Sequence, residues 1–205
     1  MTWLRPREAS RDAAHDQSGI AAVEFALILP IVLVLFIGSF ETTNLVLAYM
    51  KLEASAETAA DLVAQTKVID SNGNANYLRA TDFTNITNAA NQVLTPLPTS
   101  GGQLTIAYAS LTYSTGNPVV DWHYEVDSAP AITTGNLPSS IDLSQLGNET
   151  SGSTDSIIVV RLAYAYSSPI SHVLNSAYTL SEWAFNRPRY MNCVPTYLNT
   201  GNVCP

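Results

Sequence analysis

Residues 18–65 read SGIAAVEFALILPIVLVLFIGSFETTNLVLAYMKLEASAETAADLVAQ, and the reading of this stretch decides the fold. From Ile20 to Phe40 it is apolar except at Glu24, and no charged residue stands between Glu24 and Glu41. An α-helix rises about 1.5 Å per residue, so about twenty apolar residues match a hydrocarbon layer about 30 Å thick. Pro30 withholds the N–H that would bond the Ala26 carbonyl, which permits a kink that membrane helices tolerate. From Ser39 to Gln65 there is neither proline nor glycine, and Ala and Leu abound, so one helix is predicted from about residue 18 to about residue 66. Leu45, Leu52, Ala56, Ala59 and Val63 recur at helical spacing, with Glu53, Glu57 and Asp61 on another face. The first half of such a helix belongs in lipid and the second half packs on a domain outside it, over roughly 70 Å.

Working outward toward the N-terminus, residues 1–19 are polar and carry Arg5, Arg7 and Arg11, whereas Lys51 is the first cation after the span. That asymmetry predicts a cytoplasmic N-terminus and an exported C-terminal part. A secretory signal would end in a small-residue cleavage site after the apolar run, and none follows here. The expected organisation is a leader at 1–19, a long helix at 20–66 and an exported domain at 67–205. Within that helix, 20–48 is the membrane part and 49–66 the amphipathic part. Glu24 needs a reason, because a carboxylate inside a membrane helix costs on the order of 3 kcal/mol. Two readings stand: it has a partner and a function, or it sits at the headgroup boundary.

Toward the C-terminus the chain turns polar and β-prone. Residues 81–97 (TDFTNITNAANQVLTPL) predict a short helix capped at Thr81 or Asp82, with Phe83, Ile86, Ala90, Val93 and Leu97 on its apolar face, ending before Pro96. After Gly101-Gly102 the period changes to two. Strands are expected at 104–113, 119–126, 156–166 and 177–188, the first two joined by a turn at Gly116-Asn117. Residues 128–153 read as loop, with a short turn near Leu143. The predicted fold class is therefore α+β: a long N-terminal membrane-spanning helix packed on a small antiparallel sheet. The ten tyrosines suit strands with one buried and one wet face.

Composition narrows the function classes. Nine Lys plus Arg stand against seventeen Asp plus Glu, a formal charge of −8, with no basic patch, so no nucleic-acid partner is expected. Cys193 and Cys204 are not spaced as a metal or redox motif. In an exported domain they read as a disulfide closing a loop of about twelve residues, and in a cytosolic one as free thiols.

Candidates for chemistry are few. Alternation puts Asp121, His123 and Glu125 on one strand face, where a metal or plain solvent would suit them equally. Asp70, Asn72, Asn74 and Asn76 alternate like a calcium loop, but the required glycine and the closing glutamate are missing, Thr81 standing in the last place. A plain turn is expected there. His15 lies in the leader, and His172 follows Ser171 in a turn, which is not a catalytic arrangement. Asn85-Ile86-Thr87 and Asn148-Glu149-Thr150 match a glycosylation pattern, and no modification is expected there. No catalytic residue, metal or cofactor is expected.

Ser18-Gly19-Ile20-Ala21-Ala22-Val23-Glu24-Phe25 resembles the processing site of type IV prepilins, most closely that of the tight-adherence (Tad, Flp-type) pilus. The continuation through Pro30, Gly38 and Glu41 resembles the membrane segment of TadE-like pseudopilins, and Arg187-Pro188-Arg189 resembles the way such chains end. The resemblance implies Gly19 as the last leader residue, Ile20 as the mature N-terminus, and Glu24 followed by Phe25 as the assembly carboxylate and its aromatic neighbour. It implies a non-enzymatic minor pilin or pseudopilin that supports pilus biogenesis and surface adhesion. The implied partners are the inner membrane, a prepilin peptidase, other pilins and pseudopilins, and the Tad machinery. The implied location is a single-pass inner-membrane protein with a periplasmic C-terminal domain, carried into the extracellular pilus on assembly. Major pilins of this family are very short, so the large distal domain favours a minor subunit. The alternatives are an uncleaved single-span protein with an exported binding domain, and an exported hydrolase on a vestigial anchor.

Overall fold

The computed structural model describes residues 18–67, 77–114, 117–139, 155–168 and 177–197. Helix α1 runs Ser18–Ala64 with Pro30 inside it, within two residues of the predicted bounds at its far end. The chain falls into two compact units that part between Asn44 and Leu45. In the first unit, every described side chain from Gly19 to Phe36 is exposed.

The second unit holds the core. On α1, Leu52, Ala56, Ala59 and Val63 are buried and Leu45 packs at the margin, as the stripe predicts. Small residues dominate this face, and small residues let a second helix come close. That neighbour is α2, Ala80–Leu94, and the crossing is fastened by the Ser55 hydroxyl donating to the Ala90 carbonyl at 2.9 Å. The helix begins earlier than expected, because Asp82 is not its cap. Arg79 is the cap residue, with extended backbone, and the Asp82 carboxylate accepts from the Arg79 N–H at 2.8 Å. An acid in that first turn also complements the helix dipole. Phe83, Ile86, Ala90 and Leu94 form the buried face; Leu94 replaces Val93, which is half-buried.

Four strands follow: β1 Leu104–Ser114, β2 Asn117–Val126, β3 Ile157–Ser167 and β4 Ala177–Asn186. They form one antiparallel sheet in the order β2-β1-β3-β4. Pairing of β1 with β2 reaches Ser114–Asn117, so Asn117 is already strand and the connection lies one residue before the predicted turn. One sheet face joins the helical core through Ile106, Tyr108, Trp122, Val160 and Leu162. Phe83 of α2 sits in an aromatic group there, stacked on Tyr124 and edge-on to Trp122.

The opposite face, expected to be wet, is so only in part: His123, Thr179 and Ser181 are exposed there, but its middle is covered. Ala107, Ala109, Leu111 and Val159 are covered by Ala129 and Ile132 of the segment after β2. That segment leaves the sheet through Asp127 and Ser128, both with positive φ (56° and 60°), and so folds back over the strands. Small Ala side chains on β1 leave room for Ile132, which is fully buried.

The chain after β4 returns along the core. The Arg189 N–H donates to the Ala64 carbonyl at 2.9 Å, and the Ser156 N–H to the Asn192 carbonyl at 2.7 Å. Leu78 then bridges Thr196 in parallel. The Trp122 indole donates to the Val194 carbonyl at 2.7 Å, tying this return to β2.

Candidate functional site

The predicted processing and assembly residues all lie in the first turns of α1. Gly19 lies in the helical stretch that begins the described residues, and the peptide bond to Ile20 joins it to the apolar run. A Cβ placed on Gly19 meets nothing within 4 Å, so packing within the chain does not demand a glycine here. Ile20 is 60% exposed and Phe25 65%, and Glu24 is exposed as well. An all-round apolar helix surface is stable only when lipid or protein covers it. Helix α1 is long and apolar enough to cross a membrane. The chain is therefore membrane-anchored through this helix, and Glu24 is the one acid within an otherwise apolar exposed surface from Ile20 to Phe40.

The strand trio comes apart. Ser110 pairs with Trp122 but Leu111 pairs with Val120, so Asp121 is the extra residue of a β-bulge. A bulge re-aims a side chain, and here it turns Asp121 inward. Its carboxylate accepts from the Thr112 hydroxyl at 2.8 Å and the Ser110 hydroxyl at 3.1 Å. Burial pushes the Asp121 carboxyl above its ordinary value, and the two hydroxyl donors partly offset that. His123 stays outside, with Nδ1 2.6 Å from Glu125 Oε1. Among the described residues no group of three or more His, Cys, Asp or Glu is placed to hold a metal ion.

Cys193 is buried, at 7% exposure, and Cys204 lies outside the described residues, as does the bridge between them. Residues 70–76, His15, His172, Leu143 and Asn148-Glu149-Thr150 also lie outside them. Asn85 is exposed on α2, whereas Thr87 is buried and bonds the Tyr108 hydroxyl at 2.9 Å. Burial drives that phenol up to about 12.

One feature carried no sequence signal. A groove of about 650 Å³ runs between α1 and β4 in the second unit. Glu53, Glu57 and Asp61 line its helix side, Glu182 lies on the strand side and Arg189 closes one end. The Tyr49 hydroxyl donates to the Glu182 carboxylate, and that bond, with the carboxylate's charge beside it, holds the phenol above its ordinary value. The acids on α1 were legible as a polar face, but their position opposite an edge strand depends on the strand order.

Residues 19–61 match the model of the TadE-like protein family. No curated protein and no solved structure matches the chain. Along α1 the chain is thus similar to the TadE-like family, in agreement with the resemblance read from Gly19 to Phe25.

Proposed function

We propose that this TadE-like chain is a minor pilin or pseudopilin of a Tad pilus, cut after Gly19 by a prepilin peptidase and assembled through α1. The observation that carries the reading is the exposed apolar surface of α1 from Ile20 onward, broken by Glu24 alone and opening directly at Gly19. Cleavage would free an amine on Ile20. Glu24 of one subunit then pairs with the Ile20 amine of the next as the helices bundle. Such pairing offsets the cost of burying both charges, which neither group meets alone.

The role is structural and not catalytic, and the peptidase performs the only chemistry. In this reading residues 1–19 face the cytoplasm and the second unit the periplasm. The second unit is large for a filament's main subunit, which favours a priming, capping or decorating position that supports surface attachment.

The test is the N-terminal sequence of the protein from bacterial membranes, with and without the prepilin peptidase. A peptidase-dependent start at Ile20 supports the reading. A start at Met1 in both strains overturns it in favour of an uncleaved single-span anchor carrying a binding domain.

A further inference from the structure

We infer that the groove between α1 and β4 is a strand-addition site for an extended, basic segment of another protein. Strand β4 is an edge of the sheet, and among the described residues it pairs with β3 alone. Its ten residues leave a row of backbone N–H and C=O groups on the open side. Such an edge is a template for a further strand, and natural sheets usually blunt it with Lys, Pro or a bulge. Between Ala177 and Asn186 there is no Lys, Arg or Pro, and the β3–β4 register runs without a bulge. Among the described residues no further strand pairs with this edge, and β4 residues line a groove beside α1.

The groove's charges choose the occupant. Glu53 and Glu57 stand one helical turn apart on α1, with Asp61 one turn further and Glu182 across the groove. Against these four acids stands Arg189, whose guanidinium is already paired with Asp61. A strand entering beside β4 points alternate side chains to one face, about 7 Å apart, near the rise of one helical turn. Lysines or arginines at every second position would therefore meet Glu53 and Glu57 in turn. Main-chain bonds to β4 would supply affinity and the acids would select sequence, as in other strand-addition complexes.

A second copy of this chain is a poor occupant. Its formal charge is −8, and its β4 carries Glu182 and no cation, so two copies repel at this edge. The inference rests on the second unit alone and does not depend on cleavage at Gly19.

The experiment uses the full chain in detergent micelles and a peptide of about ten residues of alternating Val and Lys. Hydrogen exchange is followed across all four strands, with a Val–Glu peptide of equal length as control. The expected result is slowed exchange confined to β4 with the Val–Lys peptide alone. Glu53→Gln with Glu57→Gln should weaken binding about tenfold or more while the four-strand exchange pattern of the free protein stays unchanged. Binding without protection of β4, or equal binding by the wild type and the double variant, overturns the inference. Protection of β4 in the free protein that rises with its own concentration also overturns it, because the occupant is then a second copy.

Discussion

Arg189 seals the far end of α1 twice, pairing its guanidinium with Asp61 and donating its backbone N–H to the Ala64 carbonyl at 2.9 Å. The carbonyls of a last helical turn lack partners, and a cation there also complements the helix dipole. The ion pair is half-exposed, so its share is small. Arg189→Ala keeps the backbone bond and should lower stability by about 0.5–1 kcal/mol. Thermal unfolding of the full chain in micelles measures it, and the effect should shrink in high salt. A salt-independent loss of several times that size would show that the side chain acts by packing instead.

Trp122 is buried and its indole holds the Val194 carbonyl. Trp122→Phe preserves an aromatic ring beside Phe83 but orphans that carbonyl, which is itself buried. The expected loss is about 1–3 kcal/mol, with faster amide exchange around Thr196 than in β3. Tyr197→Ala, at a site 76% exposed, should change little. Equal effects of the two substitutions would remove the 187–197 segment from the core's energetics.

Asp121 should give a pH dependence opposite in sign to the usual acid. Burial raises its folded-state pKa above the ordinary 3.8, which the unfolded chain keeps. Between those two values the folded state holds more protons, so this group's contribution to stability falls as pH rises through the window. Above the raised pKa the deficit is complete. Asp121→Asn keeps an oxygen for one of the Ser110 and Thr112 hydroxyls, offers its amide N–H to the other hydroxyl oxygen, and removes the titration. Relative to wild type, it should gain stability as pH rises from the ordinary 3.8 through the raised folded-state value, and stay level above it. A constant difference over that range would mean the two hydroxyl donors cancel the burial.

Cys193 lies buried where the C-terminal return meets the core. A bridge to Cys204 closes a loop of about twelve residues, worth roughly 3 kcal/mol in the chain-entropy model. Protein purified without reductant should show no free thiol before reduction. Cys204→Ser should lower the unfolding free energy by about that amount. A thiol titration that finds two reactive groups in the unreduced protein would exclude the bridge.

Much of this fold can be read before the structure, for physical reasons visible in particular residues. The run from Ile20 is legible by its length and unbroken apolarity and the stripe from Leu45 to Val63 by its helical spacing, and α1 ends within two residues of the expectation. The strands were legible as period-two runs, β3 most clearly. What escaped depends on long-range choices. Asp121 leaves the expected trio because a bulge breaks its alternation. Ile132 covers the outer face from a stretch whose prolines, glycine and hydroxyl residues read simply as loop. The acidic groove exists because β3 inserts between β1 and β4 and puts β4 at an edge, which no local pattern encodes.

The sharpest test of function separates Gly19 from Glu24. Gly19 has no packing role, since a Cβ there meets nothing within 4 Å, and alanine suits a helix about 1 kcal/mol better than glycine. Gly19→Ala should therefore leave membrane insertion and the second unit intact while maturation to Ile20 falls sharply. Glu24 is the fifth residue after the proposed cut and is exposed, so Glu24→Gln should be cleaved at the wild-type rate. Its loss should appear later, as reduced incorporation into pili, because the Ile20 amine would then be buried without a countercharge. Immunoblots of membrane and sheared-pilus fractions read both steps on one sample. If Glu24→Gln assembles normally, the carboxylate is a headgroup-boundary residue and the pairing mechanism fails, even with cleavage at Gly19 confirmed.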